Sequence, residues 1–311
     1  MRLIALLLDF LGGQATRVLA VGVLAGIAIP ALANLMRPLL IVGLIVPLTI
    51  ALVRIDWTAL WAYGRRPGLI GLLAAWMLVA SPLLMTAVTW PLGLPETLRT
   101  ALVLMAAAPP IVSAGALALI LGLDAALIVV VVVVSTALVP LTLPPMALWL
   151  LGLQINIGLL ALMGRLAAIV GFAFLAAFVV RRLVSAAWIA AHARHLDGLS
   201  VLNLLIFAIA IMAGVTDAII ARPGYVALVA AASFIANLAL QALGAAGFAF
   251  LGRREALSVG LMTGNCNMGL VLVTLADRAD FGVAMFFAIA QIPMYMLPAL
   301  LLPLYRRLMR T

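Results

Sequence analysis

The chain of 311 residues is 68% hydrophobic and only 9% charged, with a mean hydropathy of +1.36. Such values exclude an ordinary soluble domain and define an integral membrane protein, with room at roughly 20 apolar residues per span for about ten helices, short connections and no separate soluble domain. The net charge of +9 rests on eighteen arginines without a lysine; these sit almost wholly between apolar runs, where they set membrane orientation, so no nucleic-acid partner is expected.

Residues 1–8 look like the start of a signal peptide, but Asp9 cuts the apolar run short and no convincing small-residue cleavage site follows, so the segment is expected to be retained and to lead into the first span. Segment 1 covers residues 17–36, bending or ending near Pro30, and segment 2 covers 38–54. Residues 56–66, with Trp57, Trp61, Tyr63, Arg65 and Arg66, read as an interfacial stretch. Segment 3 spans 68–90 with a kink at Pro82, and a loop of residues 91–99 leads into segment 4.

Segment 4 is interrupted at residues 106–115, Ala-Ala-Ala-Pro-Pro-Ile-Val-Ser-Ala-Gly. A proline pair removes two backbone donors and disfavours helix in the residue before each, so the first half should stop near Ala107 and a second begin near Gly115. Segment 5, residues 124–149, contains six consecutive valines but is too long an apolar run for a strand. Segment 6 covers 159–180 and is followed by the most basic turn, with Arg181, Arg182, His192, Arg194 and His195. Segments 7 and 8 cover 200–215 and 225–251.

Segment 9 follows Arg253 and Arg254 and contains residues 260–270, Gly-Leu-Met-Thr-Gly-Asn-Cys-Asn-Met-Gly-Leu. Glycine weakens a helix and asparagine carries amide groups that hydrocarbon cannot satisfy, so this stretch is expected to be a helix broken at membrane depth and sheltered by protein or water. Segment 10, residues 281–305, carries Pro293, Pro298 and Pro303, and Arg306, Arg307 and Arg310 close the chain. Placing the N-terminus in the cytoplasm puts thirteen arginines inside and only Arg37, Arg99, Arg222 and Arg278 outside, with Arg165 in or beside a span. That excess predicts both termini on the cytoplasmic side of a multi-pass protein.

Two broken spans in matching halves point to a transporter's binding site. Segments 4 and 9 are five spans apart, and a unit of odd span number repeated once inserts the second time upside down. The expected fold is therefore an all-α membrane protein of about ten transmembrane helices, a 5+5 inverted repeat of residues 1–150 and 151–311 forming one membrane domain, with crossed, broken helices 4 and 9.

On these residues the chain resembles the bile acid:sodium symporter family of the bile/arsenite/riboflavin transporter superfamily, over nearly its full length. The motifs are Ala108-Pro109 at the first crossover, Ser135-Thr136 followed by Pro140, and Gly264 with Asn267-Met268-Gly269-Leu270 at the second. The resemblance implies a core of segments 3, 4, 5, 8, 9 and 10, a panel of segments 1, 2, 6 and 7, a solute between them, and alternating access. It also implies a divergent bacterial member in the inner membrane, because the family's two sodium sites are degenerate here. Aligned on the same motifs, Met262 stands where a glutamate is expected, Cys266 and Met77 where glutamines are usual, Ala114 and Gly115 for a serine-asparagine pair, and Ile128 and Val132 for hydroxyls. Sodium needs about five or six oxygens, which thioethers and aliphatic carbons do not supply. All nine acidic residues fall at or near predicted span ends, so the fold is expected to be kept and the usual sodium coupling lost.

Half-helix N-termini present unpaired N–H groups and partial positive charge, which favours a small organic anion or a neutral polar solute. Ser113, Thr263, Asn265 and Asn267 are the candidates to line such a site, with Gln291 on segment 10 and the crossover backbone at Pro109, Pro110, Gly115, Gly264 and Gly269. Against this, the same amides and hydroxyls serve equally to satisfy the freed backbone of the break. Asn203, Asn237 and Gln241 fit helix-to-helix hydrogen bonds better, Ser135 and Thr136 can bond back to their own helix, and Arg165 is expected to snorkel. His192, His195 and Cys266 have no partners at metal-ligand spacing, and no cofactor is expected. No H-E-x-x-H, Gly-x-Ser-x-Gly or paired intramembrane aspartates point to an enzyme. A carrier of the auxin-efflux type and a non-transporting membrane sensor on a transporter fold are the alternatives.

Overall fold

The structure, a computed structural model, describes residues 2–55, 63, 65–151, 158–275 and 280–310. Helices α1 (Arg2–Gly13), α2 (Ala15–Ala28) and α3 (Pro30–Met36) are followed by a 3-10 turn, Arg37–Leu39, and by α4 (Leu40–Val53). Next come α5 (Pro67–Ala75), a π-helical turn at Trp76–Ala80, and α6 (Ser81–Thr89). After them come α7 (Glu96–Ala107) and α8 (Ala114–Leu121), separated by a non-helical break, and the long helices α9 (Ala125–Leu151) and α10 (Leu159–Leu183). Then follow α11 (Ala186–Ala191), α12 (Ala193–Ala210), α13 (Val215–Ala221) and α14 (Pro223–Gly247). A second break separates α15 (Arg253–Gly264) from α16 (Met268–Leu275), and α17 (Phe281–Ile289), α18 (Gln291–Leu300) and α19 (Leu302–Arg310) follow.

Local chemistry explains the boundaries. Pro67 and Pro223 open helices at the position where a missing N–H costs nothing. Gly122 closes α8 at φ +76°, a left-handed conformation that favours glycine, and Asp124 then caps α9 by accepting from the Leu127 N–H at 2.9 Å. The valine run lies within α9, which also carries Pro140, Pro144 and Pro145.

Seven helices among the described residues are long and apolar enough to cross a membrane, and the bent pair Leu6–Gly13 and Arg17–Ala28, at 89°, makes an eighth if it is one span. The first segment ends just before Pro30, one of the two outcomes expected, but residues 30–36 belong to the next span, Pro30–Val53: Ile29 leaves the helical region at φ −127°, ψ 77°, and proline suits a first helical turn. The interfacial stretch expected over residues 56–66 lies mostly outside the described residues, as do Asp277 and Arg278.

Two compact units divide the contacts. One comprises Met1–Ile55 with Ile169–Leu228. Here α12 is the hub, packing on α1, α2, α3 and α4. Small residues permit the approach: a Cβ on Gly26 would lie 2.7 Å from the Ile209 carbonyl, and one on Gly43 would lie 3.1 Å from that of Asn203. Arg54 pairs with Asp197, and Arg181 donates to the carbonyls of Val53 and Ile55, which end α4. The other unit comprises Asp56–Ala168 with Val229–Thr311 and contains both helix breaks.

Candidate functional site

The two interruptions meet within the second unit. Ala108, extended at φ −74°, ψ 146° as a residue before proline tends to be, carries the chain out of α7. Asn265 leaves α15 at φ −102°, ψ 79°. The Ile111 N–H donates to the Asn265 carbonyl at 2.8 Å and the Asn267 N–H to the Pro109 carbonyl at 2.7 Å, which makes an antiparallel bridge between Pro110 and Cys266. Each break thus supplies the partner that the other's backbone lacks, where an unmade bond would cost about 1–3 kcal/mol or more. The halves pair crosswise, α8 against α15 and α16 against α7.

The side chains at the second break are all buried. Asn265 donates its amide to the Leu261 carbonyl at 2.9 Å, and its Oδ1 has no hydrogen-bond partner among the described residues. Because the donor faces a carbonyl, chemistry fixes which end of that amide is oxygen. Asn267 caps α16, its Oδ1 accepting from the Leu270 N–H at 3.2 Å, and Cys266 donates its thiol to the Thr263 carbonyl at 3.2 Å. Thr263 donates to the Val259 carbonyl at 2.8 Å and accepts from the Trp76 indole at 3.0 Å.

A buried chain of side chains holds the carbonyl that ends α15. Tyr305 donates to Gln241 Oε1 at 2.8 Å, Gln241 donates to Asn237 Oδ1 at 2.6 Å, and Asn237 donates to the Gly264 carbonyl at 2.7 Å. Gly260 and Gly264 let α14 come this close: a Cβ on either would meet backbone carbonyls of α14, that of Gln241 at 2.5 Å and that of Asn237 at 2.6 Å respectively. Asn237 and Gln241 therefore serve the interhelical role expected of them, and Asn203 bonds within its own helix to Leu199. Trp76 and Tyr305 were not among the residues singled out from sequence. Trp76 begins a π-helical turn six residues before Pro82.

The other candidates are scattered. Ser113 is exposed at the start of α8 and makes no capping bond. Gln291 is buried on the last span, donating to Phe287 at 3.0 Å, with Oε1 unpartnered among the described residues. Ser135 and Thr136 do not bond back to their helix: both hydroxyls, like that of Ser81, are buried without a partner there. Gly115 brings α8 against α9, since a Cβ would sit 2.7 Å from Val129, and Gly269 is buried in the first turn of α16. Arg165 is exposed.

Met77, Ala114, Gly115, Ile128, Val132, Met262 and Cys266 are all buried, and none presents a side-chain oxygen. Met77 turns its sulfur toward Thr263, 3.8 Å from Oγ1. The described carboxylates of this unit lie at helix ends: Glu96 and Glu255 in first turns, Asp124 and Asp280 as caps. Asp124 also accepts from Tyr63, whose phenol is pushed up to about 12 by burial and then by that carboxylate.

Among the described residues the protein is helical apart from the bridge between Pro110 and Cys266, which ties two interrupted helical segments together. The profile of the sodium bile acid symporter family matches residues 38–222, more than half of the chain. The chain belongs to that family and is a multi-pass membrane protein of the transporter class. A search of curated proteins found no match to it.

Proposed function

We propose that the protein is a carrier that moves a small organic anion or a related polar solute by alternating access, without the sodium coupling usual in its family. The observation that carries this is the bridge between Pro110 and Cys266, from which α8 and α16 both start. Their first-turn N–H groups favour negative charge, and no described carboxylate of this unit lies at the bridge to oppose it. The unpartnered Oδ1 of Asn265 adds an acceptor for a hydroxyl or ammonium on the same solute.

Each interrupted segment has a first half of 12 residues, Glu96–Ala107 and Arg253–Gly264, in keeping with residues 1–150 and 151–311 as an inverted repeat. Adding these two segments to the seven unbroken spans and the bent N-terminal pair makes ten. The compact unit that holds the breaks contains most of segments 3, 4, 5, 8, 9 and 10, in keeping with a core distinct from a panel. Loss of sodium coupling is supported by the oxygen-free side chains at the seven family positions. Cytoplasmic termini belong to the same reading, on the charge rule that keeps the arginines flanking spans on that side.

The test is uptake of small carboxylates into proteoliposomes, in sodium and in choline buffers, by the protein and by Asn267→Ala. Saturable uptake that is equal in both buffers and weakened by the substitution is expected. Sodium-stimulated uptake would overturn the loss of coupling, and no carboxylate uptake in either buffer would overturn the anion assignment.

A further inference from the structure

The last helix, α19, divides into three sectors at about 100° per residue. Tyr305 points inward and is buried, Leu304 and Leu308 are exposed on a second side, and Arg306 and Arg307 are exposed on a third. The helix follows directly on the span Phe281–Leu300 and packs against α8 and α15, one helix from beside each break. Apolar residues beside arginines on a helix that continues from a membrane span match the boundary between acyl chains and negatively charged headgroups. A soluble protein partner is disfavoured, because the exposed leucines lie at the end of a span where hydrocarbon begins.

We propose that α19 is a docking surface for anionic phospholipid headgroups of the adjoining leaflet, and that Tyr305, through Gln241 and Asn237, transmits that contact to the Gly264 carbonyl at the crossover. Every step of the path is a hydrogen bond of 2.6–2.8 Å between buried groups. Headgroups drawn to Arg306 and Arg307 hold α19 against the bundle and keep the Tyr305 hydroxyl in place. Gln241 and Asn237 are then fixed, and Asn237 holds the residue that precedes the bridge. Without the headgroups α19 loosens and the end of α15 frays.

The experiment needs no solute, so its outcome is independent of the carrier assignment. The full chain is reconstituted in phosphatidylcholine bilayers with and without phosphatidylglycerol, and amide hydrogen exchange is followed in peptides covering residues 261–268 and 108–115. Phosphatidylglycerol is expected to slow exchange at the breaks several-fold in the wild type. Arg306→Gln/Arg307→Gln should lose most of the response by weakening docking. Tyr305→Phe should keep lipid-dependent protection of α19 itself but lose it at the breaks, which separates transmission from docking. Equal exchange in the two bilayers, an undiminished response in the arginine variant, or a full response at the breaks in Tyr305→Phe would each overturn the proposal. So would free inorganic phosphate added to phosphatidylcholine bilayers, if it reproduced the protection.

Discussion

Asn267 donates its N–H to the Pro109 carbonyl across 2.7 Å, joining residues 158 positions apart in sequence. Asn267 also caps α16 through its side chain, so one residue both starts a helix and fastens it to the other break. The fold of this unit and its candidate site are for that reason the same structure, and substitutions around the bridge should register in stability as well as transport.

Gly264→Ala is expected to destabilise the protein by about 1–3 kcal/mol, because the added methyl would meet the Asn237 carbonyl and the Gln241 side chain in a packed interior. Thermal unfolding in detergent measures this. Gly164→Ala, where a Cβ meets nothing within 4 Å, is the control and should change little.

Asn237→Leu removes the donor to the Gly264 carbonyl and leaves Gln241 without its acceptor, two buried groups at once. A cost of about 1–3 kcal/mol per stranded group is expected, with faster amide exchange at residues 263–266. An unchanged melting temperature would mean that the carbonyl finds another partner.

Trp76→Phe keeps an aromatic ring against Phe248, now 5.4 Å away edge-on, but loses the indole donor to Thr263. The loss of one buried hydrogen bond predicts about 0.5–1.5 kcal/mol. The double variant with Thr263→Val should cost less than the sum of the single changes; full additivity would show that the two side chains do not interact.

Sodium is expected to have no specific effect on stability. Melting temperatures in sodium, potassium and choline chloride at equal ionic strength should coincide, since ligand-linked stabilisation requires a site that binds the ion. A rise confined to sodium would show that oxygens elsewhere, such as the unpartnered hydroxyls of Ser135 and Thr136, have taken over the lost site.

The breaks were the most legible part of the sequence. Pro109 and Pro110 cannot be satisfied in a continuous helix, and the structure ends α7 at Ala107 and resumes at Ala114. Glycines and asparagines in an apolar run likewise marked the end of α15. The start of the second span was misplaced because Pro30 serves as readily to open a helix as to bend one. The roles of Trp76 and Tyr305 were invisible because each depends on a partner more than sixty residues away, and no local pattern announces such a pairing.

The bridge also has a limit built into it. Extending it into a ladder would call on the N–H of Pro109, which proline lacks, and on that of Asn265, already given to the Leu261 carbonyl at 3.2 Å, so the contact stops at two hydrogen bonds. Such a joint works as a rivet and not a zip: it fixes the point where four short helices meet while leaving the angles among them to the side chains around it.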